Sequence, residues 1–255
     1  KPGGMLTYGV PSYKLEKDLI QAEVDVITAM GVEIRYGVEV GKDVTIEDLR
    51  KDGYKGFYIA IGCQSGRKPG IPGEDAQGVY TAVEFLREAG EKEAFALGGE
   101  VVVIGGGNVA IDAARTATRC GQGRVSMFCL ESRDEMPASR EEILEASEEK
   151  VVIGNGWGPK EILTENGKVT GIVFKKCTRV FDENHRFAPL YNEDDTMTVS
   201  CQNVIFSVGQ GIFWGDLLKG TKVELRPNGG AVAHKLPYQT AAADIFVGGD
   251  DNTRP

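Results

Sequence analysis

The sequence predicts an α/β fold in which parallel strands alternate with helices and a block of antiparallel strands follows. Three observations carry this. Four apolar residues, Val101 to Ile104, run straight into Gly105-Gly106-Gly107, and small residues at helical spacing follow (Val109, Ala110, Ala113, Ala114, Ala117). Two further apolar runs end on glycine, Gly56 to Gly62 and Asn203 to Gly209, as buried strands feeding tight turns do. After residue 150 the apolar period drops to two, and Asn166-Gly167 marks a hairpin turn.

The first observation has the form G-x-G-x-x-A between a strand and a helix. Gly105 lets the chain turn sharply, Gly107 lets a pyrophosphate approach the backbone, and Ala110 lets the helix pack close on the sheet. The phosphates then lie over the helix N-terminus, where free N–H groups and the helix dipole favour an anion. The competing reading is a glycine turn that holds no ligand.

In chain order, Lys1 to Pro11 reads as a Gly- and Pro-rich loop. Ser12 caps a helix whose apolar face is Leu15, Leu19, Ala22, Val26 and Met30, ended by Gly31. Val32 to Tyr36 and Val38 to Val40 read as short strands, and Thr45 opens a helix to Leu49. Residues 64–80 hold six glycines and prolines and form the expected domain boundary. Thr81 and Glu84 make a capping box for a helix to Gly90, as do Ser139 and Glu142 for a helix to Glu149. Arg124 to Leu130 is a strand. Val151 to Ile153, Glu161 to Thr164, Val169 to Phe181 and Met197 to Val199 are expected to be antiparallel strands. Residues 211–244 are irregular, with short strands near Val223 to Leu225 and Ala231 to Ala233, before Ile245 to Asp250.

The net charge of −9, without a basic run, argues against nucleic acid and against an anionic membrane surface. No apolar stretch reaches spanning length. Five scattered cysteines without C-x-x-C fit reduced thiols in a cytoplasmic protein and exclude a local zinc or iron–sulfur motif, so no metal site is expected. His185 and His234 are far apart, which disfavours a histidine-centred site. The chain starts at Lys1 and stops at Arg254-Pro255 right after a strand-like run, so both ends read as cut.

The order of the motifs resembles the small (β) subunit of bacterial glutamate synthase and the flavin half of dihydropyrimidine dehydrogenase. The matching residues are Gly3 to Pro11 with Lys14 to Lys17, Val40 to Val44, the strand ending at Gly62, and Gly105 to Ala110. Met136-Pro137-Ala138, Val208-Gly209-Gln210 and Gly248-Gly249-Asp250 continue the match. The resemblance implies two nested Rossmann-like domains: an FAD-type domain at residues 1–80 and 201–255, and an inserted NAD(P)-binding domain at 81–200. It implies an NAD(P)H oxidoreductase that passes hydride from nicotinamide to FAD and electrons on to an iron–sulfur domain or subunit. The family's opening glycine motif for the FAD pyrophosphate, and the helix after Asp250, are missing from this sequence. The FAD-type domain is therefore expected to be incomplete, in a family member truncated at both ends that binds FAD weakly or not at all. A nucleotide-binding module without turnover is the alternative; a methyltransferase-like domain fits the Gly-Gly-Asn-Val-Ala continuation and the Gly248-Gly249-Asp250 motif poorly.

For the nicotinamide nucleotide the candidate residues are Gly105, Gly106, Gly107, Asn108 and Val109 at the turn, Glu131, Ser132 and Arg133 after the next strand, and Gly209 and Gln210. An acid at the strand end, Glu131, accepts from ribose hydroxyls and repels a 2′-phosphate, so NAD(H) is expected over NADP(H). Relatives carry Tyr-Arg-Arg where this chain has Cys129-Leu130-Glu131, although Arg133 is within reach of a 2′-phosphate. Glu131 also fits a solvated strand-end charge. For FAD the resemblance implies Gly4, Met5, Leu6, Lys14, Val40, Gly62, Gly249 and Asp250. Met5 and Leu6 fit core packing equally well, Lys14 a surface helix position, and Asp250 a polar turn. Cys63 and Cys129 read as buried structural thiols. No catalytic side chain is expected, because hydride transfer is cofactor chemistry.

Overall fold

The computed structural model describes residues 1–92, 95–121, 123–236 and 238–253. The predicted chain end at Arg254-Pro255 lies outside them. The elements in chain order are α1 (Lys17–Ala29), α2 (Ile46–Lys51), β1 (Phe57–Ile59), β2 (Val79–Thr81), α3 (Ala82–Glu91), β3 (Val101–Ile104) and α4 (Asn108–Cys120). They continue with β4 (Val125–Cys129), α5 (Arg140–Glu148), β5 (Val152–Asn155), β6 (Trp157–Glu165) and β7 (Lys168–Phe181). The last are β8 (Phe187–Ser200), β9 (Asn203–Phe206), β10 (Ile245–Val247) and α6 (Asp250–Thr253).

The chain divides into two compact units: residues 1–5, 17–65 and 210–255, and residues 6–16 and 66–209. In the second unit a parallel sheet runs in the order β2-β9-β3-β4-β5, so β3 lies between β9, the last of these strands in sequence, and β4, the next after it. The connections from β3 through α4, β4 and α5 all progress to one side, and β9 lies on the other. The C-terminal end of β3 is thus the switch point where open α/β sheets bind ligands. All four residues of β3 and all five of β4 are buried, as strands covered on both faces must be.

The two faces carry different layers. Val101, Val103, Val125 and Met127 pack against Phe85, Ala110, Ile111, Ala114 and Ala146 of α3, α4 and α5. Val102, Ile104, Phe128 and Phe206 pack against Ile162, Val169, Ile172 and Phe174 of the antiparallel β6-β7-β8 sheet. The Asn166-Gly167 turn joins β6 to β7 with φ of 51° and 76°, both left-handed, which suits the right-handed twist of the strands. Thr81 and Glu84 form the reciprocal capping box. Ser139 caps α5 by accepting from the Glu142 N–H at 3.2 Å, while the Glu142 carboxylate takes the Lys14 ammonium at 2.5 Å.

Several local expectations are corrected. Val151 to Ile153 is not antiparallel: β5 is the parallel edge strand beside β4, because it follows α5 and a strand–helix–strand crossover sets parallel pairing. Val32 to Tyr36 forms no strand, and Val40 makes a single bridge to Val44. The face proposed for α1 is exposed, with Leu19 at 57%, Val26 at 58% and Met30 at 78%, while Ile20 and Val24 are buried. An i, i+4 pair suffices to seat a helix on one side, so a wider apolar stripe did not decide which side.

The first unit has its own core, in which Ile46, Ile59, Ala231, Ala242, Ile245 and Val247 are buried together. Its strands β1 and β10 pair in parallel, with Phe57 opposite Ile245 and Ile59 opposite Val247. The helix expected to be missing after Asp250 is present as α6, which starts at Asp250 itself.

Candidate functional site

A cleft of about 570 Å³ opens at the C-terminal ends of β3 and β4 in the second unit. One wall is the glycine turn. Gly105 has φ +145°, which L side chains rarely adopt, and a Cβ there would fall on the Ser207 carbonyl oxygen. Its N–H donates to the Phe128 carbonyl at 2.8 Å, which pins the turn to β4. A Cβ on Gly106 would lie 2.9 Å from Glu131 Oε2 and 3.1 Å from Cys129 Cβ. Gly107 is the N-cap of α4, has no side-chain cap, and has nothing within 4 Å of its Cβ position. The backbone is therefore tight on the sheet side and open over the helix N-terminus. Ala110 is fully buried where the helix meets the sheet. Asn108 Oδ1 accepts from the Ser139 N–H at 2.9 Å and fixes the helix start to the loop after β4; Val109 is 39% exposed.

The other wall comes from the antiparallel sheet. Trp157, Pro159, Lys175 and Tyr191 line the cleft, joined by Arg67 and Lys68 from the segment before β2. Gly158 makes room for the Tyr191 ring, since a Cβ there would lie 2.5 Å from Tyr191 Cε1. The Lys175 ammonium sits 4.2 Å from the centre of that ring and 2.7 Å from Glu193.

Glu131 follows β4, and its backbone is clamped. Its carbonyl accepts from Asn155 Nδ2 at 3.1 Å and from the Gly156 N–H at 3.3 Å. Its carboxylate lies over Gly106, close to the Cys129 thiol. Burial first, then that carboxylate, push the Cys129 thiol up to about 12, so it stays protonated and inert. Ser132 and Arg133 are exposed, Arg133 opening a single 3₁₀ turn. Gly209 ends the second unit with φ +106°, its carbonyl accepting from the Arg67 N–H at 3.1 Å, and Gln210 opens the last stretch of the first.

Lys14 lies in the second unit and bridges Asp112 of α4 and Glu142 of α5, each at 2.5 Å. Burial alone would lower its ammonium; the two carboxylates outweigh that and raise it. Leu6 is in the same unit and 52% exposed. Gly4 (φ +51°), Met5, Val40, Gly62 (φ +66°), Gly249 (φ +68°) and Asp250 belong to the first unit. There sequence reasoning passed over Asp251. Its side chain is fully buried, Oδ2 accepts from the Ile61 N–H at 2.8 Å, and Oδ1 makes no well-formed hydrogen bond within the chain. The run Asp250-Asp251 after two glycines was the only signal, and the sequence reading took Asp250 from it. Trp157, Lys175 and Tyr191 were also passed over, because only strand pairing brings them to the glycine turn. All five cysteines are free, and among the described residues no group of three or more His, Cys, Asp and Glu is placed to hold a metal. No helix among them is long and apolar enough to cross a membrane.

Comparison with known proteins places these features. The pyridine nucleotide-disulphide oxidoreductase family matches residues 3–255. The chain is 34% identical to the NADP(+)-dependent formate dehydrogenase subunit beta of Moorella thermoacetica, over 97% of this chain and 35% of that one. It is 33% identical to the glutamate synthase [NADPH] small chain of Escherichia coli, over 97% of this chain and 56% of that one. The chain thus spans between about a third and just over half of these relatives. FprA of Mycobacterium tuberculosis, solved with NADPH, shares the fold with a TM-score of 0.77 at 19% identity, covering 100% of this chain and 71% of that one.

These matches correct two expectations. An FAD-type domain that is broken within these residues is not what they show: the family match runs over residues 3–255 and the shared fold over 100% of this chain. The reason lies in the first unit, where the β1–β10 pair, a separate core and α6 stand where the sequence was read as a remnant. The preference for NAD(H) is overturned as well. Most relatives whose names carry a nicotinamide nucleotide name NADP(H). Glu131 itself lines the cleft, with its carboxylate beside Gly106.

Proposed function

Since the chain belongs to the pyridine nucleotide-disulphide oxidoreductase family, we propose that it is an NADPH:acceptor oxidoreductase of the cytoplasm that uses FAD. The second unit takes the nicotinamide nucleotide and the first unit takes the flavin. The observation that carries this is the glycine turn, closed against the sheet at Gly105 and Gly106 and open at Gly107 over the N-terminus of α4. That shape admits a pyrophosphate to the backbone and refuses a side chain. Asn108 and Val109 supply first-turn N–H groups, and Ser132 and Arg133 stand at the adenosine end. Gly209 and Gln210 lie along the path that follows β9. Trp157 and Tyr191 give an apolar wall against which a base stacks, and Arg67, Lys68 and Lys175 put positive charge beside the phosphates.

In the first unit the Oδ1 of the buried Asp251 makes no well-formed hydrogen bond within the chain, with the backbone of the positive-φ Gly62 beside it, and it fits a flavin hydroxyl. Gly4, Met5, Val40, Gly249 and Asp250 are assigned to the same cofactor on the family resemblance, whereas Leu6 and Lys14 belong to the second unit. The cofactors supply the hydride chemistry; the protein binds them, orients them and excludes water, and no catalytic side chain is assigned. Electrons leave to an iron–sulfur domain or subunit. A relative named NADPH-Fe(3+) oxidoreductase subunit beta, 36% identical over 82% of this chain, supports a one-electron acceptor of that kind.

The test is anaerobic addition of NADPH to the FAD-loaded protein, followed by the visible flavin band. The band bleaches in the native protein, and Gly107→Val, which fills the open space, prevents it. A flavin that stays oxidised with both NADPH and NADH would overturn the proposal.

A further inference from the structure

A second cavity of about 640 Å³ adjoins the loop after β4 and shares Leu130 with the nucleotide cleft. Arg133 enters it from that loop, and Lys176 and Arg179 from β7. Two carboxylates, Glu135 and Asp182, and His185 at the β7–β8 hairpin line it as well.

The charges are not paired with each other. Glu135 Oε2 accepts from the Ser132 hydroxyl at 2.6 Å. Asp182 Oδ1 accepts the Asn184 and Arg186 N–H groups at 2.8 and 2.9 Å and is committed to the hairpin turn. Among the described residues, Arg133, Lys176 and Arg179 have no carboxylate within ion-pair distance. The Lys176 ammonium instead sits 4.6 Å from the centre of the Trp157 ring, the residue that also lines the nucleotide cleft. Three cations facing one cavity repel each other, and an anion with several oxygens removes that repulsion. Two guanidinium forks and an ammonium offset the charge of a phosphate dianion and supply donors for its oxygens.

Position identifies the anion. In a strand–glycine–helix site the adenosine ribose lies at the end of the second strand, here β4 and the loop 130–133. The cavity opens at that loop. We propose that it receives the 2′-phosphate of NADP(H), held by Arg133 from the strand-end loop and by Lys176 and Arg179 from the antiparallel sheet. This rests on the nucleotide reading above. It places the cofactor choice on β7, some 45 residues beyond the strand end at which sequence reasoning looked for it.

Adenosine 2′,5′-bisphosphate and 5′-AMP differ only in the 2′-phosphate, and so do NADPH and NADH. Each of the four is titrated into the native protein and into K176Q/R179Q, with binding followed by calorimetry. The native protein binds each 2′-phosphorylated member at least about tenfold more tightly than its partner, as loss of one or two charge-assisted contacts implies. The double variant loses that ratio and keeps its affinity for NADH, which also shows that it is folded. R179Q alone, which leaves the Lys176–Trp157 contact in place, lowers the ratio in part. A double variant that keeps the native ratio, or that loses NADH and NADPH equally, overturns the assignment while the nucleotide site stands. A native protein that binds none of the four overturns both.

Discussion

The two walls of the nucleotide cleft are made in opposite ways. The glycine wall is contiguous: a strand, a turn and a helix within residues 101–120. Its demand falls on the backbone, at Gly105, where the conformation and the Ser207 carbonyl leave no room for a side chain. The other wall is assembled at a distance. Trp157 opposes Lys176, and Cys177 opposes Tyr191, so register across three strands sets which side chains reach the cleft. Its demand falls on side chains, and the backbone beneath them is ordinary sheet. A single methyl group should therefore break the first wall, whereas the second should lose affinity without losing its fold.

The sharpest way to break this comparison is Gly105→Ala. A positive-φ alanine with its Cβ on a carbonyl oxygen costs on the order of 2–4 kcal/mol, read as a lower Tm by calorimetry. Gly107→Ala, with a negative φ and open space, costs less than about 1 kcal/mol of stability. Equal Tm losses for the two variants would mean that the turn is not strained where the geometry places the strain.

Tyr191→Ala probes the opposite wall. The ring lies over Gly158 and under the Lys175 ammonium, at the cleft and outside the central cores. The expected result is an NADPH affinity lowered by roughly tenfold, the scale of one base–aromatic stack, with little change in Tm. An unaltered affinity would reduce the antiparallel sheet to a scaffold.

The same contrast explains what the sequence disclosed. Val101 to Ala117 is legible because strand, turn and helix are local, and because burial on both faces leaves β3 uniformly apolar. The strand β8 is 14 residues long, yet only Met197 to Val199 showed a strand pattern. Residues 187–196 are largely exposed, carry Asn192 to Asp195, and are held extended by pairing with β7, which leaves no apolar alternation to read. Val151 to Ile153 looked like its antiparallel neighbours because a short apolar run does not encode strand direction; the preceding helix does. Val32 to Val40 is rich in β-branched residues but stays mostly exposed, and propensity without a partner strand makes no sheet. Arg133 was within reach of sequence reasoning because it lies two residues after Glu131. Lys176 and Arg179 were not, because nothing local ties β7 to the end of β4. Lys14 was read as a flavin contact or a surface helix residue, and only packing of the segment 6–16 brings it to Asp112 and Glu142.

The smallest expected effect separates the walls by their charges. Glu149, which caps the end of α5, holds Arg115 at 2.8 Å and Arg119 at 2.5 Å, tying α4 to α5 behind the glycine turn. Burial would raise its carboxyl, but the two arginines prevail and hold it below the usual range. A carboxylate with a depressed folded-state value contributes stability that is fully present above the unfolded value of about 4.3 and is lost as pH falls below it. Glu193 on the opposite wall is also lowered, chiefly by Lys175, but it is largely exposed, and water and salt screen such a pair. Glu149→Gln should therefore flatten the acid limb of Tm against pH by about 1 kcal/mol, while Glu193→Gln leaves it as in the native protein. Arg115 keeps Glu145 as a partner in the first variant, so its guanidinium is not stranded and the fold survives for the measurement. An acid limb left unchanged by Glu149→Gln would mean that the arginine pairs contribute nothing and that the helix behind the glycine turn is held by its apolar contacts.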